Sequence, residues 1–150
     1  MFKLSRKSEY GLIALKHMQN LEPGKVCTAR EVASRFKIPE PVMSKILQKL
    51  VKSGLVASVQ GPYGGYVLAM KPGQITMTKV VEAIEGPFGI VDCVVSGAEC
   101  ECTQYSEGVC NIEEPFAHIQ TQFKNFLNGI SLADLSKAKT RPAPLVQIRV

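Results

Sequence analysis

The chain has 150 residues, 45% of them apolar, with 18 Lys/Arg against 13 Asp/Glu and a net charge of +5. That length supports one domain with a real core and a helical appendage, and that apolar content excludes wholesale disorder. No stretch approaches the ~18 consecutive apolar residues of a membrane span, and charges at Arg6, Lys7, Glu9 and Lys16 interrupt the start too often for a secretory signal. A cytoplasmic protein without membrane association is expected.

The charge is unevenly spread. Residues 1–85 hold thirteen basic groups against six acids, residues 86–130 one against six, and residues 131–150 four against one. Such asymmetry points to a polyanion-binding module joined to something else, with an ordinary solvated surface as the alternative.

In chain order, Leu4, Leu12, Ile13, Leu15 and Met18 give a helical apolar face, with Ser5 as N-cap. Glu22-Pro-Gly24 breaks that helix. Thr28-Ala-Arg-Glu31 has the capping-box pattern, and Val32, Ala33 and Phe36 then face inward from a short second helix. Lys37 and Ile38 make a tight connection. Pro39 and Pro41 suit the entrance of a third helix, because proline lacks the amide that would go unpaired there. That helix runs to about Ser53, with Val42, Met43, Ile46, Leu47, Leu50 and Val51 inward and Gly54 past its end. Ser44, Lys45, Gln48, Lys49 and Lys52 occupy its other face, which suits a helix laid in a major groove. Two short strands, 55–60 and 66–70, flank a glycine-rich turn and predict a β-hairpin.

The second half begins with a short helix over 78–85, stopped by Gly86-Pro87. A loop follows from about Phe88 to Cys110. Phe116, Ile119, Phe123, Phe126 and Ile130 then form one stripe on a helix of about eighteen residues, which must bury itself. A second subunit is the favoured partner, since a palindromic operator needs a two-fold reader. The fold class expected is mainly α with a small β-hairpin wing. A winged helix-turn-helix would occupy residues 1–85, a cysteine-rich loop and dimerisation helix 86–136, and a flexible tail 137–150. A small helical domain that binds protein is the alternative for the first part.

Four of the five cysteines, Cys93, Cys100, Cys102 and Cys110, fall within eighteen residues. In a reducing compartment, thiols so gathered favour a metal, an iron–sulfur cluster or redox chemistry over structural disulfides. Cys27 stands apart and reads as a semi-buried bystander. With only two histidines, His17 and His118, and no nucleophile–base–acid set, an enzyme is not expected.

The segments Leu4-Ser-Arg-Lys-Ser-Glu-Tyr-Gly-Leu12, Gly54-Leu-Val56 and Ser58-Val-Gln-Gly-Pro-Tyr-Gly-Gly-Tyr66, followed by the cysteine loop, resemble the IscR/NsrR/RirA-type winged-helix regulators over about residues 1–130. The Gly-Pro-x-Gly-Gly-Tyr wing carries most of the specificity. The resemblance implies a homodimeric bacterial transcription regulator that binds double-stranded DNA at a palindromic operator. It implies control by an iron–sulfur cluster that senses iron, redox or nitric oxide status, with [2Fe–2S] favoured and [4Fe–4S] as the second form. Some relatives carry no cluster and sense cysteine metabolism, so a cluster-free or zinc-bound thiol switch is the alternative.

The implied ligands are Cys93, Cys110 and one of Cys100 and Cys102, or both on different irons. Several relatives place a histidine three residues after the last cysteine, where this chain has Glu113. Others use an acid near the start of helix one, reaching across from the partner subunit, and Glu9 matches it. A surface ion pair is its alternative role.

The implied DNA surface begins with Arg6 and Lys7 on helix one and Thr28 and Arg30 at the start of helix two. On helix three it takes Pro39, Pro41, Ser44, Lys45, Gln48 and Lys49, with Ser44 standing where well-known relatives carry Glu. On the wing it takes Gln60, Tyr63, Gly64 and Gly65. Gln60 replaces an Arg and lacks the charge that narrow A·T minor grooves attract.

Overall fold

The computed structural model describes residues 3–96, 107–108 and 110–137. Cys100, Cys102 and the expected tail beyond Lys137 lie outside them.

Ser5 starts the first helix as expected. Its backbone is extended, and its hydroxyl accepts the Ser8 amide at 3.1 Å, satisfying one donor that the first turn leaves unpaired. Helix α1 (Arg6–Gln19) buries Ala14, Leu15 and Met18. Helix α2 (Ala29–Phe36) is capped by Thr28, whose hydroxyl accepts the Glu31 amide at 3.1 Å. The carboxylate of Glu31 departs from the capping-box expectation: it meets His17 Nε2 on α1 at 2.9 Å. His17 is buried, and a buried ring nitrogen left without a partner costs more than an exposed cap amide does. Phe36, expected inward, is 40% exposed and stands edge-on to the His17 ring.

Lys37 closes α2 in the left-handed region (φ 55°), which frees the chain to turn into α3 (Glu40–Lys52). Met43, Ile46, Leu47 and Leu50 bury one face of α3 against α1, α2 and the helix over Met77–Glu85. Strands β1 (Val56–Val59) and β2 (Gly65–Leu68) pair antiparallel, with Val56 opposite Leu68 and Val59 opposite Gly65. The hairpin has a further backbone partner that the sequence did not reveal: Cys27 and Tyr66 exchange backbone hydrogen bonds at 3.0 and 2.7 Å. The wing is thereby tied to the segment that leads into α2. Three helices and this braced hairpin form a winged helix-turn-helix.

A 3₁₀ turn (Pro72–Gln74) leads to α4 (Met77–Glu85). Thr76 is its cap, so the helix starts earlier than expected, and Thr78 is buried with its hydroxyl donating to the Lys124 carbonyl at 3.4 Å. The expected loop after Phe88 contains a helical turn, α5 (Asp92–Ser96), which carries Cys93. Gly89 serves close packing here: a Cβ on it would lie 1.7 Å from Val95 Cγ2.

Helix α6 (Glu113–Asn128) is 16 residues long and stops short of Ile130. Its aromatic stripe divides. Phe123 packs on Phe88 with ring centroids 5.5 Å apart, whereas Ile119 and Phe126 are 48% and 63% exposed. Beyond α6 the chain returns to the core. The Ile130 carbonyl accepts the Met77 amide at 2.9 Å, Leu132 donates to Ile75 at 2.8 Å and is buried, and α7 (Asp134–Lys137) follows.

Candidate nucleic-acid interface and thiol segment

Helix α3 presents the expected outward face because its apolar residues repeat every three to four positions. Pro41, Lys45, Gln48 and Lys49 are exposed and Ser44 is half-buried. Pro39 stands at the cap position without a side-chain hydrogen bond, and Pro41 lies in the first turn. Arg6 and Lys7 are exposed on the first turn of α1, and Arg30 on that of α2. Thr28 is exposed as well, although its hydroxyl is engaged as the cap.

Three of the expected basic residues converge. Lys7, Lys45 and Lys49 surround a cavity of about 240 Å³ floored by Val42, Ile46 and Ile84. Lys49 differs from the other two, because its ammonium donates to the Ile84 carbonyl in the last turn of α4. A cation there complements the unpaired carbonyls and negative end of that helix.

On the wing, Gln60 is exposed and Tyr63, at the tip, is 91% exposed. Gly64 and Gly65 act through their lack of a side chain. A Cβ on Gly64 would lie 2.3 Å from the Val59 carbonyl oxygen, and one on Gly65 would lie 2.6 Å from that of Cys27. Both neighbours are backbone, so no side-chain rotation relieves the clash. Gly61 turns the tip at φ 118°.

The thiols are placed differently from one another. Cys93 on α5 and Cys110 just before α6 are both half-buried, at the two ends of the cysteine segment. Among the described residues no group of three His, Cys, Asp or Glu gathers as a metal site, but Cys100 and Cys102 lie outside that set. Glu9 is half-buried on α1, Glu113 opens α6, and His118 is exposed on it. Cys27 is fully buried, not semi-buried. Burial and then the Glu31 carboxylate push its thiol up to about 11, against a smaller lowering by a backbone hydrogen bond.

A residue that sequence reasoning missed joins the thiol segment to α6. Gln120 is buried; its Oε1 accepts the Ile90 amide at 3.0 Å and its Nε2 donates to the Phe88 carbonyl at 2.6 Å. The available signal was a polar residue set into the aromatic face of α6. From α6 the contacts run inward. Lys124 pairs with Glu82 of α4 at 2.7 Å, and Ile84 of α4 packs so closely on α1 that a Cβ on Gly11 would lie 2.2 Å from its Cδ1.

Residues 4–138 match the family model of Rrf2, described as iron-dependent transcriptional regulators. The chain belongs to the Rrf2 family. Its relatives include the transcriptional regulator IscR of Aliivibrio salmonicida, 32% identical over 89% of this chain and 76% of that protein. NsrR of Geobacillus kaustophilus is 28% identical over 98% of each. Among solved structures, CymR, the global cysteine regulator of B. subtilis, superposes with a TM-score of 0.70 at 26% identity, covering 93% of this chain and all of that one. IscR of T. potens shares the fold, with a TM-score of 0.64 at 24% identity over 95% and 94% of the two chains. This Rrf2 protein is therefore a DNA-binding transcriptional regulator and not an enzyme. Among its described residues no helix is long and apolar enough to cross a membrane.

Proposed function

We propose that this Rrf2 protein is a homodimeric regulator whose grip on a palindromic operator is set by an iron–sulfur cluster held on the cysteine segment. The observation that carries the reading is the junction of a braced winged helix-turn-helix with two half-buried thiols that bracket a short, cysteine-rich span ahead of α6. The donor chemistry fits: thiolates are soft ligands suited to iron and sulfide. Cys93 and Cys110 would hold the outer positions, Cys100 or Cys102 a middle one, and Glu9 of the partner subunit the last. When bound, a [2Fe–2S] or [4Fe–4S] cluster supplies a centre sensitive to oxidation, iron supply and nitric oxide.

The chain's own residues supply the route to DNA. Phe88 leans on Phe123 of α6, Lys124 of α6 pairs with Glu82 of α4, and Ile84 of α4 touches both α1 and the Lys49 ammonium of α3. A change in the order of the 88–110 segment would thus bias the tilt of α3. A coupling of about 1–3 kcal/mol changes operator occupancy roughly 5- to 150-fold. Reading would fall to Ser44 and Gln48 in the major groove, beside the prolines of the α3 entrance, with Gln60 and Tyr63 on the wing and Gly64 and Gly65 holding the wing's turn. Arg6, Lys7, Thr28, Arg30 and Lys45 would form the flank along the phosphates.

The likeness to CymR favours a second reading: a cluster-free thiol switch tied to cysteine metabolism. An absorption spectrum with iron and sulfide counts on protein purified without air separates the two. A coloured protein that loses iron in Cys93→Ala and in Cys110→Ala supports the cluster. A colourless, iron-free protein whose operator affinity changes on thiol oxidation supports the switch. If it is colourless and binds its operator identically with all loop thiols blocked, both readings fail.

A further inference from the structure

We infer that Gln120 is the positioning residue that ties the thiol-bearing segment to α6 and passes its state onward. The inference rests on the reading that thiol state sets operator affinity. Gln120 lies on the side of α6 that carries Phe116 and Phe123, and burying a primary amide there is unfavourable unless both of its ends are paired. Both are. One end meets the Ile90 N–H and the other the Phe88 carbonyl, so a single side chain holds the backbone on both sides of Gly89 as a neighbouring β-strand would. Val95 of α5 fills the space where Gly89 has no side chain. Residues 88–90 thus pack on α5 and are hydrogen-bonded to α6, and Cys93 follows in the first turn of α5. On α6, Gln120 lies one turn before Lys124, the residue that pairs with Glu82 of α4. A leucine of similar volume would fill the same space without fixing the register of the segment.

The test uses the full-length chain with two substitutions. Gln120→Leu removes both hydrogen bonds, and Gln120→Glu keeps an acceptor for Ile90 while losing the donor to Phe88. On reduced, metal-free protein, Gln120→Leu is expected to speed hydrogen exchange at the Ile90 amide about tenfold or more. Alkylation of Cys93 should quicken with it and that of buried Cys27 should not, with Gln120→Glu intermediate. The ratio of operator affinities between the cluster-loaded and thiol-blocked forms should fall toward one in Gln120→Leu. Unchanged Ile90 exchange and Cys93 reactivity in a cooperatively folded Gln120→Leu overturn the inference. So does a wild-type affinity ratio that survives intact once the Ile90 amide has become labile. Should Gln120→Leu not fold, Gln120→Glu decides by the same readouts. If the wild-type ratio is itself one while the substitutions loosen Ile90 and Cys93, the proposed function fails and the positioning role stands.

Discussion

At Cys27 the one thiol that stands apart from the others in sequence is held inert. It is fully buried, its backbone forms the extra rung of the wing, and its pKa is raised to about 11. The sign of the linkage follows. An acid whose folded pKa lies above its unfolded value of about 9 stays protonated in the fold while the unfolded chain ionises. Its stabilisation is complete below pH 9 and is lost as pH climbs from 9 to 11, by about 3 kcal/mol in all. Denaturant midpoints between pH 8 and 11 should therefore fall more steeply in the wild type than in Cys27→Ala, and Cys27 should alkylate last of the described thiols. The neighbouring glycine gives a sharper expectation. Gly65→Ala would drive a Cβ into the Cys27 carbonyl oxygen, so it should cost about 1–3 kcal/mol in urea unfolding and weaken operator binding by displacing the wing. At this scale the caps were legible and the buried partners were not. Thr28 caps α2 as its pattern required, yet Glu31 turned to His17, a residue on another helix.

At the scale of elements, α3 shows how one helix serves two masters. Lys45 is exposed on the face proposed for DNA, whereas Lys49, also exposed, gives its ammonium to the end of α4. Lys45→Ala should flatten the salt dependence of operator binding by about one unit of slope, the loss of one phosphate contact. Lys49→Ala should lower the thermal midpoint as well and change the slope less. Equal slope changes with unaltered stability would show that the α4 contact is not kept in solution. The periodicity that outlined α3 was decisive because its apolar repeat is long and regular. The segment 88–96 lacks such a repeat, so its sequence predicts a loop where α5 forms. A single helical turn there depends on packing against α6, not on its own sequence.

For the whole molecule the question is what covers α6. Phe123 finds Phe88 within the chain, but Ile119 and Phe126 remain exposed. Large apolar groups left outward on a long helix suit a second copy, as the proposed homodimer requires. Phe126→Glu should shift sedimentation toward the monomer and weaken binding to a full palindrome far more than to a half-site. Retention of the dimer would place the subunit contact elsewhere. The partition expected near residue 85 follows the charge pattern, which is basic before it and acidic from there to residue 130. Yet the strand-like contacts of 130–132 with 75–77 lead the chain after α6 back onto the reader.

Sequence alone was enough for the Ser5 and Thr28 caps, the turn glycines and the wing motif, since each depends on neighbours a few residues away. Tertiary structure alone decided the His17–Glu31 pair, the Cys27–Tyr66 rung, the tie from Lys49 to α4 and the Gln120 clamp. These contacts join residues from different elements. Each becomes possible only after the core has brought the elements together.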